Sequence, residues 1–146
     1  MKLDIKIDKG DIKDAFGKYA KKLSDNRDLL EELGEIIEED IRHRIVKLKK
    51  DPDDKPWKPW AKATKKARQK RGTAALGLLF ESGELADSIT HKVTGKNKLQ
   101  VGTSNPYAGY LNEGTNNMPA RPFIGISKRA SKGIDEALKL YFGGKK

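Results

Sequence analysis

Between Leu29 and Leu48 the apolar residues fall on one helical stripe. Leu29, Leu30, Leu33, Ile36, Ile37, Ile41, Ile45 and Leu48 recur at three- and four-residue spacing, the period of one face of an α-helix. Glu31, Glu32, Glu35, Glu38 and Glu39 lie mostly off that stripe. Ser24 or Asp25 can cap the start, and acids early with Arg42, Arg44 and Lys47 late suit the helix dipole. A stripe of this length must be covered, so the rest of the chain has to supply a surface for it.

The flanking segments read as short elements. Residues 2–8 alternate Leu3, Ile5 and Ile7 with charges, the pattern of a strand. Asp8 or Gly10 opens a helix to about Leu23, with Ile12, Ala15, Phe16, Tyr19 and Leu23 on one side. Asp51–Trp60 is a proline-broken loop, and Lys62–Arg71 a short basic helix ended by Gly72. Ala74–Phe80 reads equally as helix or strand. Ser82-Gly83 turns the chain into one helical turn, Glu84–Ser88. Ile89, His91 and Val93, a "TGKN" turn, then Leu99 and Val101 make a half-buried hairpin. Pro106 starts a short helix, Tyr107–Glu113, capped by Ser104 or Asn105 and closed by Gly114. Phe123–Ile126 reads as a strand. Ser127 caps a last helix with Ala130, Ile134, Ala137, Leu138 and Tyr141 inward, stopped at Gly143-Gly144. The order predicts an α+β fold. N-terminal helices, one of them long and amphipathic, pack with a small antiparallel β-sheet and a C-terminal helix. Residues 1–146 are expected to form a single domain, with a basic Pro/Trp loop or arm at about 49–72.

Hydrophobic residues make up 36% of the chain and charged residues another 36%, so the core must be lean. The absence of cysteine excludes disulfides and thiolate chemistry and points to a reducing compartment. No run approaches the roughly 18 apolar residues of a membrane helix, and "MKLDIKIDKG" lacks the apolar centre of a signal peptide. The charge is unevenly spread. Residues 1–40 hold 8 Lys/Arg against 12 Asp/Glu, residues 41–71 hold 13 against 3, and residues 72–146 hold 10 against 6. The basic block suits a phosphate backbone, an acidic protein partner, or simply a solvated surface. Its proline and charge content predicts that Lys49–Arg71 is mobile in the free protein and ordered by a partner.

A catalytic centre is hard to assemble. Of the two histidines, His43 lies next to arginines late in a helix and His91 sits on a hairpin strand with no acidic neighbour at ligand spacing, so both read as structural or exposed. Ser82 or Ser88 beside His91 lacks a nucleophile elbow. Asp51, Asp53 and Asp54 lack the glycine and distal glutamate of a calcium loop, and the glycines form no phosphate-binding loop. No enzyme activity, cofactor or metal is therefore expected. Trp57 and Trp60 stand out because large aromatics are costly to expose. They anchor the loop on its own domain, meet a protein partner, or stack on single-stranded nucleic acid among lysines.

Four segments stand in order: "DKPWKPWAKATKKARQKRG" at Asp54–Gly72, "LLFESGELADSI" at Leu78–Ile89, "VGTSNPYAGYLNEGT" at Val101–Thr115 and "MPARPFIGIS" at Met118–Ser127. Together they resemble the phage virion morphogenesis family, the tail completion proteins of Mu-like phages and prophages. Asn112 and Glu113 stand where the family's pattern has a His-Gln pair. The resemblance implies a non-enzymatic protein that completes the tail or joins it to the head, commonly as a ring. Its partners would be itself and phage tail or neck proteins, with DNA contact secondary and no membrane. It would act in the cytoplasm of the bacterial host and in the virion.

On this reading the interface residues are Trp57, Trp60, Lys65, Arg68, Tyr107 and Arg121. Arg121 precedes Pro122, which holds its backbone extended. A guanidinium so placed can grip a carboxylate or carbonyls with two prongs. It either bridges internally, for instance to Glu113 or Glu84, or reaches across a subunit boundary. The competing reading is a small basic nucleic-acid-binding protein. A small hydrolase or toxin finds no supporting constellation.

Overall fold

The computed structural model describes residues 2–6, 27–80, 82–95 and 98–143. The helix expected from about residue 8 to Leu23, and its Ser24 or Asp25 successor cap, lie outside the described residues.

The apolar stripe forms helix α1, Arg27–His43, continued by a wide π-type turn over Arg44–Leu48. Leu29, Leu30, Leu33, Ile37, Ile41 and Ile45 are buried, while Glu32, Glu35 and Glu39 face water. Leu48, expected inward, is 40% exposed. The π-type turn takes more residues per turn than an α-helix and moves the last apolar position off the stripe. Lys49 then ends the helix with a left-handed backbone, φ 55°, its N–H bonded to Arg44 O at 2.7 Å.

The surface that covers α1 is an antiparallel sheet. Strand β1 is Lys2–Lys6, β2 Ile89–Gly95 and β3 Lys98–Thr103, in the order β1-β3-β2 among the described residues. Ile89 pairs with Thr103 and Val93 with Leu99, and the register slips between Val93 and Gly95. Ile89, Val93, Leu99 and Val101 are buried against α1, as the alternation requires. His91 shares their face of the strand. Gly34 makes room for it: a Cβ there would stand 2.5 Å from His91 Cδ2. The ring nitrogens lie 2.5 Å from Glu38 Oε2 and 3.1 Å from Glu31 Oε2. The acidic neighbours missing from its own strand come from α1.

Helix α2 is Lys62–Lys70, α3 Glu84–Asp87, α4 Ala108–Glu113 and α5 Lys128–Leu138. A single 3₁₀ turn, Ala74–Leu76, settles the ambiguous stretch after Gly72. Ser127 caps α5 by accepting from the Ala130 N–H at 3.1 Å. Ala130, Ile134, Ala137 and Leu138 are buried, closing the core beside α1. Tyr141, expected inward, is 49% exposed, because the chain leaves α5 through a second π-type turn, Lys139–Gly143. The architecture is α+β.

Phe123–Ile126 is not a strand. It is extended chain, and its backbone bonds go to side chains. The N–H groups of Phe123 and Ile124 donate to Asn112 Oδ1 at 3.0 and 3.1 Å. The carbonyls of Phe123 and Gly125 accept from Arg44 Nη1 and Nη2 at 2.9 and 3.0 Å. One amide and one guanidinium supply what a neighbouring strand would have given.

The proline-rich loop is docked. Trp57 is 6% exposed within the main core, and its Nε1 donates to Pro122 O at 2.6 Å. Asp51 Oδ1 accepts from the N–H groups of Asp53 and Lys55 at 2.8 and 2.9 Å, and Lys50 bridges to Pro56. One buried tryptophan seats this loop on its own fold, an arrangement that does not by itself call for a partner.

Candidate functional site

Four of the six residues singled out in the sequence line one cleft of about 680 Å³. Trp60, Arg68 and Arg121 line it, Leu85 and Leu111 supply apolar lining, and Tyr107, at the N-cap of α4, and Tyr110, within α4, complete it. Lys65 is exposed on α2 beside Thr64, which lines the cleft. Trp57 lines no part of it. It anchors the loop from which Trp60 projects. Sequence reasoning missed Tyr110, although its three-residue spacing from Tyr107 on a short helix was a usable signal.

Each wall has a cause. Arg68 is 6% exposed, and its Nη2 reaches the carbonyls of Thr73, Gly77 and Phe80 at 3.0, 3.2 and 2.5 Å. Its guanidinium also lies 4.6 Å from the centre of the Trp60 ring, within cation–π range. The segment after α2 is thereby folded back over the helix. Lys49 holds the same segment from behind. Its Nζ donates to Ile45 O at 2.6 Å and Leu78 O at 2.9 Å and sits 5.4 Å from the Phe80 ring centre. Burial, then the nearby Arg68 charge, push its pKa down to about 8.

Arg121 is 5% exposed. Its Nε donates to Lys58 O at 2.8 Å and its Nη2 to Pro59 O at 2.9 Å. The two-pronged grip expected from the sequence is present, but the receivers are carbonyls rather than Glu113 or Glu84. It fastens the tryptophan loop, while its own N–H bonds Leu111 O at 2.9 Å. Burial lowers the guanidinium's pKa. The polar loop before it is secured by Gly114, whose φ of 80° admits glycine readily. A Cβ at Gly114 would also lie 2.6 Å from Ala120 N. Asn112, in place of the family's expected polar pair, bonds the Phe123 segment and not the cleft.

A second polar centre escaped sequence reasoning. Asp40 and Arg44 are each 2% exposed and pair at 2.9 Å. Ser127 Oγ donates to Asp40 Oδ2 at 2.7 Å, and Arg129 Nη1 approaches Asp40 Oδ1 at 3.4 Å. Asp40 and Arg44 each stand beside a buried isoleucine in the stripe, Ile41 and Ile45, and that adjacency was the available signal. Arg42 likewise donates to Ala86 O and Ile89 O at 3.1 and 2.7 Å.

Part of the basic block is thus turned inward, with Arg42, Arg44, Lys49 and Arg68 all bonding carbonyls. Lys62, Lys65, Lys66 and Lys70 remain exposed on α2. Ser88 Oγ donates to Leu85 O at 2.6 Å and lies 2.5 Å from Thr103 Oγ1, so it forms no pair with His91. Among the described residues no cluster of three or more His, Asp or Glu is placed to hold a metal ion. None of their helices is long and apolar enough to cross a membrane.

A family model described as the phage virion morphogenesis family matches residues 7–143. Mu-like prophage FluMu G protein 1 of Haemophilus influenzae is 29% identical over 129 residues, covering 88% of this chain and 86% of that protein. No solved structure matches the chain.

Proposed function

The chain belongs to the phage virion morphogenesis family, and from that premise we propose that it completes the phage tail or joins it to the head, acting as an oligomeric ring. The observation that carries this reading is the family match over residues 7–143, which contains every residue of the cleft. The Haemophilus relative, named as a Mu-like prophage protein, supports the same setting. The protein acts non-enzymatically, in the host cytoplasm during assembly and then in the virion. Its contact surface is the cleft of Trp60, Arg68, Tyr107 and Arg121, with Lys65 at the edge and Trp57 as the internal anchor.

Deleting the gene from the phage or prophage that carries it tests the function. Electron micrographs should show heads and tails that fail to join; normal particles would overturn the reading. Sedimentation velocity on the purified chain tests the ring, which requires a mass several times 16.3 kDa. The competing nucleic-acid reading draws on the exposed lysines of α2. Salt-sensitive retention of DNA by a monomer, with no self-assembly, would favour it.

A further inference from the structure

We propose that the cleft docks an apolar segment of a partner virion protein that bears an aspartate or glutamate, with the carboxylate received by the Nη1 end of Arg121. The proposal rests on the assembly reading above and names the chemistry of the partner.

Arg121 provides the first argument. It lines the cleft and is 5% exposed. Two of its nitrogens bond the carbonyls of Lys58 and Pro59. Nη1 makes no hydrogen bond among the described residues, and no carboxylate among them forms an ion pair with the guanidinium. A desolvated cation held by neutral carbonyls gains most from an incoming anion. The lowering of its pKa by burial agrees with a charge left uncompensated.

The mouth and lining give the second. Tyr107 and Tyr110 are 64% and 61% exposed although Ala108 between them is buried. Large aromatics with polar tips, set around a concave apolar lining, are the usual anchors of a protein contact. The volume of about 680 Å³ accommodates several side chains.

Charge supplies the third. Arg68 and Arg121 line the cleft, Lys65 stands at its edge, and Glu84 is the one acid among the described lining residues. The complement is an acidic segment. Nucleic acid fits less well. Lys62, Lys66 and Lys70 recur on the side of α2 away from Thr64 and Arg68, so they do not track the cleft. Arg68 spends Nη2 on three carbonyls.

The test is selection of a random peptide library on the purified full-length chain, followed by fluorescence titration of the selected peptide. The expected consensus places an aromatic or aliphatic anchor beside Asp or Glu. Tyr107→Ala with Tyr110→Ala should weaken binding about tenfold or more and leave the melting temperature unchanged, since both rings are exposed. Replacing the peptide's acid by its amide should weaken binding, and Arg121→Lys should then add little further loss, as a thermodynamic cycle requires. No enrichment, a consensus without a carboxylate, or binding indifferent to the tyrosine pair would overturn the proposal. So would a short oligo-dT that displaces the peptide, or self-association that the tyrosine pair abolishes. The function reading fails separately. Joined, normal particles after gene deletion would overturn it. Rescue of the deletion by the double-tyrosine variant would overturn the cleft proposal alone.

Discussion

Arg44 and Lys49 show two fates for a buried cation. Arg44 is paired with Asp40 and bonded to two carbonyls, so its desolvation is met by charge and by geometry. Removing the partner charge should therefore be expensive. Asp40→Asn is expected to cost about 3–5 kcal/mol in urea unfolding, the range for stranding one member of a buried pair. A loss below 1 kcal/mol would mean the site is wet. Lys49 has carbonyls but no counter-ion among the described residues, and its pKa falls to about 8. Below that value the folded protein carries the full penalty of a desolvated ammonium. As pH rises from about 8 toward the unfolded value of 10.5, the unfolded chain keeps its proton longer than the folded one, so the Lys49 contribution to stability rises. The melting temperature of wild type minus that of Lys49→Met should climb across this window. A flat difference would refute the shift.

The loops around the cleft are held by side chains, where secondary structure would ordinarily do the work. Asn112 and Arg44 replace a strand beside Phe123, Arg121 fixes the Trp57–Trp60 loop, and Arg68 with Lys49 folds back the segment after α2. Trp57 is the apolar pin of this assembly. Trp57→Ala should cost about 3–5 kcal/mol and open the 49–71 loop to limited proteolysis, where the wild type resists. Rapid cleavage of the wild-type loop would show that the pin does not hold. The hairpin, α1 and α5 were legible in the sequence because each buries one face at a fixed period. The Phe123 segment was misread because its apolar residues match a strand, whereas the donors and acceptors that complete it lie elsewhere. Leu48 and Tyr141 were misplaced for one shared reason, a π-type turn that shifts the phase of a stripe.

Over the whole molecule the net charge of +10 divides into buried staples and a solvated helix. Lys62→Gln, Lys66→Gln and Lys70→Gln together should change unfolding free energy by no more than about 0.5 kcal/mol, because all three side chains are exposed. Whatever DNA retention the wild type shows should be lost in the same triple variant, which should still support particle assembly. Failure to assemble with DNA retention intact would reverse the assignment of that surface. A fold lean in apolar residues uses arginine in place of further core, since one guanidinium can satisfy several buried carbonyls at once.

The sequence by itself determined the α+β order, the inward face of α1, the hairpin and its alternating faces, the Ser127 cap and the family resemblance. Each of these is written in local periodicity, turn chemistry or short motifs. The tertiary structure alone decided which carbonyls Arg121 grips, that Trp57 is an internal pin and Trp60 a cleft wall, and that Asp40 and Arg44 are buried. Those outcomes depend on partners far along the chain; Arg44 and Phe123 are 79 residues apart. A charged side chain reads the same in sequence whether it meets water or a distant carbonyl, and only the folded backbone brings that carbonyl within reach.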